Sequence, residues 1–293
     1  MPMPVWPSGT GFGGPEMVLI ADTIHYSCHI HANDPGKPWL LMLHGFMGSK
    51  RSFSHLTESL QSFCNPVTLD LAGHGKTLAA ADPSLYSAGR QTRQVLSVID
   101  RLAPDPLYLY GYSMGGRLAF HLLAANSALF HGALIESAHC GMLSEEDRSI
   151  RRETDILRAA AIRENYPAFV ESWVKMPMFG GSASSAAFSQ RELMLNQRPE
   201  CMAASLLGFG AGTMPPVCGR LAELRLPIRL LAGEQDKPYA ERMDSIRRLN
   251  PRFILEVIKG ASHRIHHDDA EAVVHAIRRL ITETEESRVP QKS

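Results

Sequence analysis

A serine, a histidine and an aspartate stand in this sequence where they could act together as a nucleophile or a base. Residues 111–117 read Gly-Tyr-Ser-Met-Gly-Gly-Arg, a G-x-S-x-G pattern. It directly follows the apolar run Leu107-Tyr-Leu-Tyr110 and directly precedes the helical pattern Leu118-Ala-Phe-His-Leu-Leu123. In that setting the serine sits on a strained turn at the end of a strand, and Gly111 and Gly115 leave room for strand and helix to approach. Asp236 follows the run Pro227-Ile-Arg-Leu-Leu-Ala232, and His263 follows Phe253-Ile-Leu-Glu-Val-Ile258. His263 would take the Ser113 proton, while Asp236 would fix the imidazole tautomer and stabilise its cationic form. Glu234 is the rival acid. Asp236 is favoured because it ends the strand-to-loop segment.

All three residues lie just past the C-terminal ends of expected strands, the edge at which open α/β sheets bind ligands. Upstream, Trp39-Leu-Leu-Met-Leu43 runs into His44-Gly45-Phe46. The backbone N–H groups of Phe46 and Met114 are the candidate pair for holding a developing oxyanion. The order Ser, Asp, His is that of the α/β-hydrolase fold. The expected architecture is therefore a mostly parallel central sheet flanked by helices, with an inserted helical cap. Met17–Ile20 and Ile24–Ile30 suggest two early antiparallel strands, and from Trp39 to Ser137 strands and helices alternate. Val67–Leu71 and Ala133–Glu136 supply further strands. Apolar stripes on Phe53, Leu56, Leu60 and Phe63, and on Val95, Ile99 and Leu102, mark two of the helices. From Ser144 to about Gly212 the periodicity is helical throughout, and Ser144 with Asp147 reads as a helix start. The division is a lead over 1–16, a first part of the core over 17–140, a cap over 141–215 and a second part of the core over 216–293.

Thirty basic and thirty acidic residues give a formal net charge of zero, which offers no electrostatic case for nucleic acid or anionic membrane as partner. The longest apolar runs are strand-sized, which speaks against a transmembrane helix. The Pro- and Gly-rich start lacks the features of a signal peptide. Five cysteines without C-x-x-C spacing point to reduced thiols and a cytoplasmic setting. His263, His266 and His267 could be read as metal ligands, but the two acidic residues after them fit a helix start better. Gly75-Lys76-Thr77 lacks the first glycine of a phosphate loop, since Asp70 stands there.

Arg117 lies four residues after Ser113, on the same face of the helix. Arginine grips a carboxylate bidentately and keeps its charge, so a carboxylate-bearing substrate would use it. The alternative is a surface arginine that bridges to the cap. At this elbow the chain resembles the 2-succinyl-6-hydroxy-2,4-cyclohexadiene-1-carboxylate synthases of menaquinone and phylloquinone (vitamin K) biosynthesis. The likeness extends through Leu43-His-Gly-Phe46, Asp70-Leu-Ala-Gly-His-Gly75, Glu136-Ser-Ala-His-Cys-Gly141, the cap residues Arg148, Arg151 and Asp155, Trp173 to Phe179, Leu195-Asn-Gln-Arg198, Gly233-Glu-Gln-Asp-Lys237 and Gly260-Ala-Ser-His263. It covers roughly residues 39 to 282. Ala72, Cys140, the stretch Gly180–Ser185 and residues 1–16 depart from it.

The resemblance implies a lyase that eliminates pyruvate from a small polycarboxylate, with no metal or organic cofactor. It implies Ser113, Asp236 and His263 as the triad, Arg117, Arg151 and Arg198 on substrate carboxylates, and Tyr112, Trp173 and Lys237 lining the pocket. Arg148 and Arg152 rival Arg151. A hydrolase of carboxylate-bearing substrates, an esterase or a carbon–carbon bond hydrolase, shares the fold and triad, and a non-catalytic binding module is the remote alternative. The sequence does not set the oligomeric state; a monomer is the working expectation.

Overall fold

Strands buried on both faces need near-continuous apolar runs, and those runs become the centre of the sheet. A computed structural model describes residues 16–179 and 185–288. The expected lead over 1–16 (Glu16 apart) and most of the stretch at Gly180–Ser185 fall outside these residues. The strands are β1 (Glu16–Ala21), β2 (Ile24–Ile30), β3 (Trp39–Leu43), β4 (Asn65–Leu69), β5 (Leu107–Tyr112), β6 (Gly132–Glu136), β7 (Ile228–Gly233) and β8 (Phe253–Ile258). They form one sheet in the order β1-β2-β4-β3-β5-β6-β7-β8. β1 pairs antiparallel with β2 and β2 with β4, while every other pairing is parallel. β5, β6 and β7 are buried along their whole length, and the edge strand β8 is half exposed.

Eleven α-helices are described: α1 (Ser54–Gln61), α2 (Ala88–Leu102), α3 (Met114–Asn126), α4 (Glu145–Glu164), α5 (Tyr166–Val174), α6 (Ser185–Leu195), α7 (Pro199–Phe209), α8 (Cys218–Leu221), α9 (Lys237–Arg247), α10 (Ile265–Asp268) and α11 (Ala270–Arg288). Successive strand residues point to opposite faces. Leu41, Leu43, Leu109 and Ile135 therefore pack with Val95 and Val98 of α2 and Leu118 and Leu122 of α3. Leu40, Met42, Tyr108 and Tyr110 pack on the other face with Leu56 and Leu60 of α1 and Ile277 and Leu280 of α11.

β4 starts and ends two residues earlier than the apolar run suggested. Asn65 pairs with Trp39 and Leu69 with Leu43. The chain then leaves the sheet at Asp70, whose carboxylate accepts the backbone N–H groups of Lys50 (2.6 Å) and Lys76 (2.9 Å).

Helices α4 to α7 fall between β6 and β7. The Ser144 hydroxyl caps α4 by accepting the Asp147 N–H at 3.3 Å. The chain leaves the core beside the point at which it returns, where the Val217 N–H donates to the Cys140 carbonyl at 2.8 Å. Here the expectation of reduced thiols is corrected. Cys140 and Cys218 are joined by a disulfide across 78 residues, while Cys28, Cys64 and Cys201 are free and buried. Partners so far apart leave no spacing signal; the fold brings them together. No helix among the described residues is long and apolar enough to cross a membrane.

α3 packs against β3 so closely at Gly115 that a Cβ there would lie 2.1 Å from the Leu43 carbonyl oxygen. Gly115→Ala should cost about 1–3 kcal/mol, the usual penalty for overpacking. Urea denaturation checks this, and an unchanged midpoint would contradict the packing of α3 on β3.

Candidate active site

Ser113 stands between β5 and α3 at φ 51° and ψ −110°. A non-glycine residue at such angles costs about 1–3 kcal/mol and persists only where its surroundings enforce it. Its N–H donates to the Glu136 carbonyl at 2.9 Å, and its own carbonyl accepts the Arg117 N–H at 2.9 Å. His263 comes from the loop after β8, and its N–H is tied to the Met178 carbonyl at 2.9 Å. Its ring bridges the other two residues. Nε2 lies 2.9 Å from Ser113 Oγ, and Nδ1 lies 2.6 Å from Asp236 Oδ2. Because a carboxylate only accepts, Nδ1 carries the proton and Nε2 is left to accept the serine hydroxyl. Asp236 and His263 are both buried. Glu234 instead accepts the exposed Gly260 N–H at 2.8 Å, which separates the two rival acids.

The Gly45–Phe46 segment runs beside the serine. A Cβ at Gly45 would meet the Tyr112 ring at 2.6 Å and Ser113 Cβ at 3.5 Å. His44 fixes this segment: Nδ1 donates to the Gly45 carbonyl at 2.8 Å, and Nε2 accepts the Leu71 N–H at 3.0 Å. Neither the Phe46 nor the Met114 N–H has an acceptor among the described residues.

Ser113, His263, Phe46, Tyr112 and Trp173 line one cavity, roofed by Met178, Phe179 and Gln190. Its volume is about 30 Å³, room for a water or two but not for a substrate. Of the residues expected to bind substrate, Tyr112 and Trp173 line this cavity; Arg117, Arg151, Arg198 and Lys237 do not. Arg117 is buried, donates to the Phe209 carbonyl at 2.9 Å and stacks on the Phe209 ring, and burial brings it down to about 10. Arg151 holds the buried Asp155 at 3.0 Å, and it and Asp155 both act electrostatically on Arg117. Arg148 and Arg152 are turned to Glu145 and the Gly212 carbonyl. Arg198 spends its guanidinium on the carbonyls of Gly73, Gly75 and Thr77 at 2.8–3.0 Å. Lys237 opens α9 with an exposed side chain.

Sequence reasoning missed two features. Glu136, fully buried at the end of β6, accepts the Tyr110 hydroxyl and, from His266, both the N–H (3.1 Å) and Nδ1 (2.7 Å). The His266 ring lies edge-on to Tyr112 at 4.4 Å, so a second histidine–carboxylate pair supports the elbow from below. His267 is instead bonded to Gln190 of the cap. The second missed residue is Arg264, which also lines the cavity. The sequence held one signal for each: a carboxylate ending an apolar strand, and a cation directly after His263.

A serine on a forced strand-to-helix turn, served by a histidine and an aspartate from later strand ends, places the chain within a known class. It belongs to the alpha/beta hydrolase family, whose model matches residues 40–276. Within that class it is similar to particular enzymes. It is 28% identical over 256 residues to the 2-succinyl-6-hydroxy-2,4-cyclohexadiene-1-carboxylate synthase of Citrobacter koseri, covering 86% of this chain and 96% of that one. It is 25% identical over 256 residues to the synthase of that name from Klebsiella pneumoniae, covering 87% and 98%. In structure it is similar to MenH from S. aureus, with a TM-score of 0.84, 28% identity and coverage of 89% of this chain and 99% of that one.

The site's buried histidines set how stability responds to acid. Burial pushes His74 down to about 3 and holds His44, His139 and His266 below their ordinary 6.5. A depressed folded-state pKa contributes stability that is full above 6.5 and lost as pH falls toward the folded value. Glu136 has the opposite sign. Burial raises it from 4.5 to about 7, so its contribution is present below 4.5 and lost as pH rises through 7. Four rings outweigh one carboxylate, and the urea midpoint should fall between pH 7 and pH 5. A midpoint that rose over that range would mean the rings are charged in the folded protein.

Proposed function

We propose that this chain eliminates pyruvate from 2-succinyl-5-enolpyruvyl-6-hydroxy-3-cyclohexene-1-carboxylate to give 2-succinyl-6-hydroxy-2,4-cyclohexadiene-1-carboxylate, as a carbon–oxygen lyase of menaquinone biosynthesis. The observation that carries the reading is the Ser113–His263–Asp236 relay beside a small cavity, on a chain similar along most of its length to synthases of that name.

In this reading His263 Nε2 takes the Ser113 proton while the serine oxygen takes a proton from a ring carbon of the substrate. Asp236 stabilises the imidazolium. The carbanion, delocalised as an enolate, is met by the N–H groups of Phe46 and Met114. Its electron pair forms the new ring double bond and breaks the carbon–oxygen bond to the enolpyruvyl group. The leaving enolate takes the proton back and ends as pyruvate. No water is consumed, which suits a cavity of about 30 Å³ with room for little solvent. Arg117 and Arg151 stand one layer out, around Asp155, and bind carboxylates here by exchanging their present contacts as the cap moves. Arg198 does so by giving up loop carbonyls. A cytoplasmic setting belongs to the same reading, with the Cys140–Cys218 bridge as the observation against it.

Purified protein incubated with the enolpyruvyl precursor should release pyruvate and leave a simple aryl ester largely uncut. Ester hydrolysis without pyruvate would instead make the chain a serine hydrolase. Ser113→Ala should lower pyruvate release by on the order of 10³-fold or more while the circular dichroism spectrum is unchanged. Near-normal turnover in that variant would remove the serine from the reaction.

A further inference from the structure

Among the described residues lining the Ser113 cavity, Arg264 is the one arginine or lysine. It is 7% exposed, and its Nη2 has no hydrogen-bond partner among the described residues. A buried guanidinium with an unused donor is costly, because it has lost water without gaining a replacement. The side chain is held in place all the same. Its guanidinium carbon lies 3.8 Å over the centre of the Phe179 ring, and the Tyr112 hydroxyl and the Asp268 carboxylate are close enough to act on it. Asp268 makes no ion pair with it among the described residues, and its Oδ2 is engaged by the Ser262 N–H at 2.7 Å and the Ser262 hydroxyl at 2.5 Å. Burial pulls the guanidinium below its ordinary value, which is the direction an approaching anion would reverse.

We propose that Arg264 is a carboxylate-binding residue of this site, its free guanidinium edge taking a carboxylate of the bound molecule while Phe179 stacks on its face. The assignment rests on the polycarboxylate reading above and deepens it. It puts one more cation that discriminates an anionic from a neutral substrate next to the catalytic histidine in sequence. Phe179 also lines the cavity, so the ring that stacks on the guanidinium is itself part of the site.

Succinate is the probe, titrated calorimetrically into the wild-type chain, Arg264→Gln and Arg264→Lys, with pyruvate release from the enolpyruvyl precursor measured beside it. We expect the wild type to bind succinate and R264Q to bind it about tenfold or more weaker, as loss of a charge-assisted contact predicts. KM for the precursor should rise more than kcat falls. R264K, which keeps the charge but not the fork, should recover part of the affinity. Equal succinate affinity in the wild type and R264Q, or no succinate binding by the wild type, would overturn the assignment. Absence of pyruvate release from the wild type would overturn the lyase reading alone, and the succinate titration would still judge Arg264.

Discussion

The backbone at Ser113 is the constraint on which the rest depends. An L-residue at φ 51° and ψ −110° stays there only if its neighbours allow nothing else. The Glu136 carbonyl holds its N–H, α3 packs on the Leu43 carbonyl through Gly115, and the turn has no slack between those contacts. The consequence is directional. The hydroxyl is thrown above the sheet edge, where a loop from β8 and another from β7 can reach it. Were the turn to relax, Ser113 would lose its 2.9 Å contact with His263 although every residue of the relay was still present.

A second layer of buried polar contacts stiffens that first one. Glu136 lends its backbone carbonyl to Ser113 and its carboxylate to Tyr110 and His266. The cap uses its polar side chains in the same way. Gln197 accepts the Gly75 N–H at 2.9 Å and donates to the Gly48 carbonyl at 3.1 Å, while Arg198 gathers the carbonyls of residues 73–77. Carbonyls turned inward away from water need donors, and the segment between α6 and α7 supplies them. The cap thereby braces the loops that shape the site as well as covering it.

What could be read from the sequence follows from how local each feature is. Each strand announces itself by its own apolar run, and Ser113, Asp236 and His263 each follow such a run, so sheet and relay were both legible. The carbonyl contacts of Arg198 were not, because its partners lie more than 120 positions away and no residue type advertises a carbonyl in need of a donor. The Glu136–His266 pair and the Cys140–Cys218 bridge are likewise products of tertiary proximity. Arg264 was hidden differently. Its place beside His263 was visible, but its burial and its unused Nη2 are properties of the packed cavity alone.

The bridge at the neck of the cap changes what kind of object the cap is. Cys140 lies on the way out of the core and Cys218, 78 positions later, on the way back, so the stretch between them is a covalently closed ring hung from a single staple. A protease that cuts a peptide bond anywhere in α4 to α7 opens the ring without freeing a fragment, and both halves stay anchored at the same point. In the oxidised protein, damage to the lid is therefore a change of topology before it is a loss of mass.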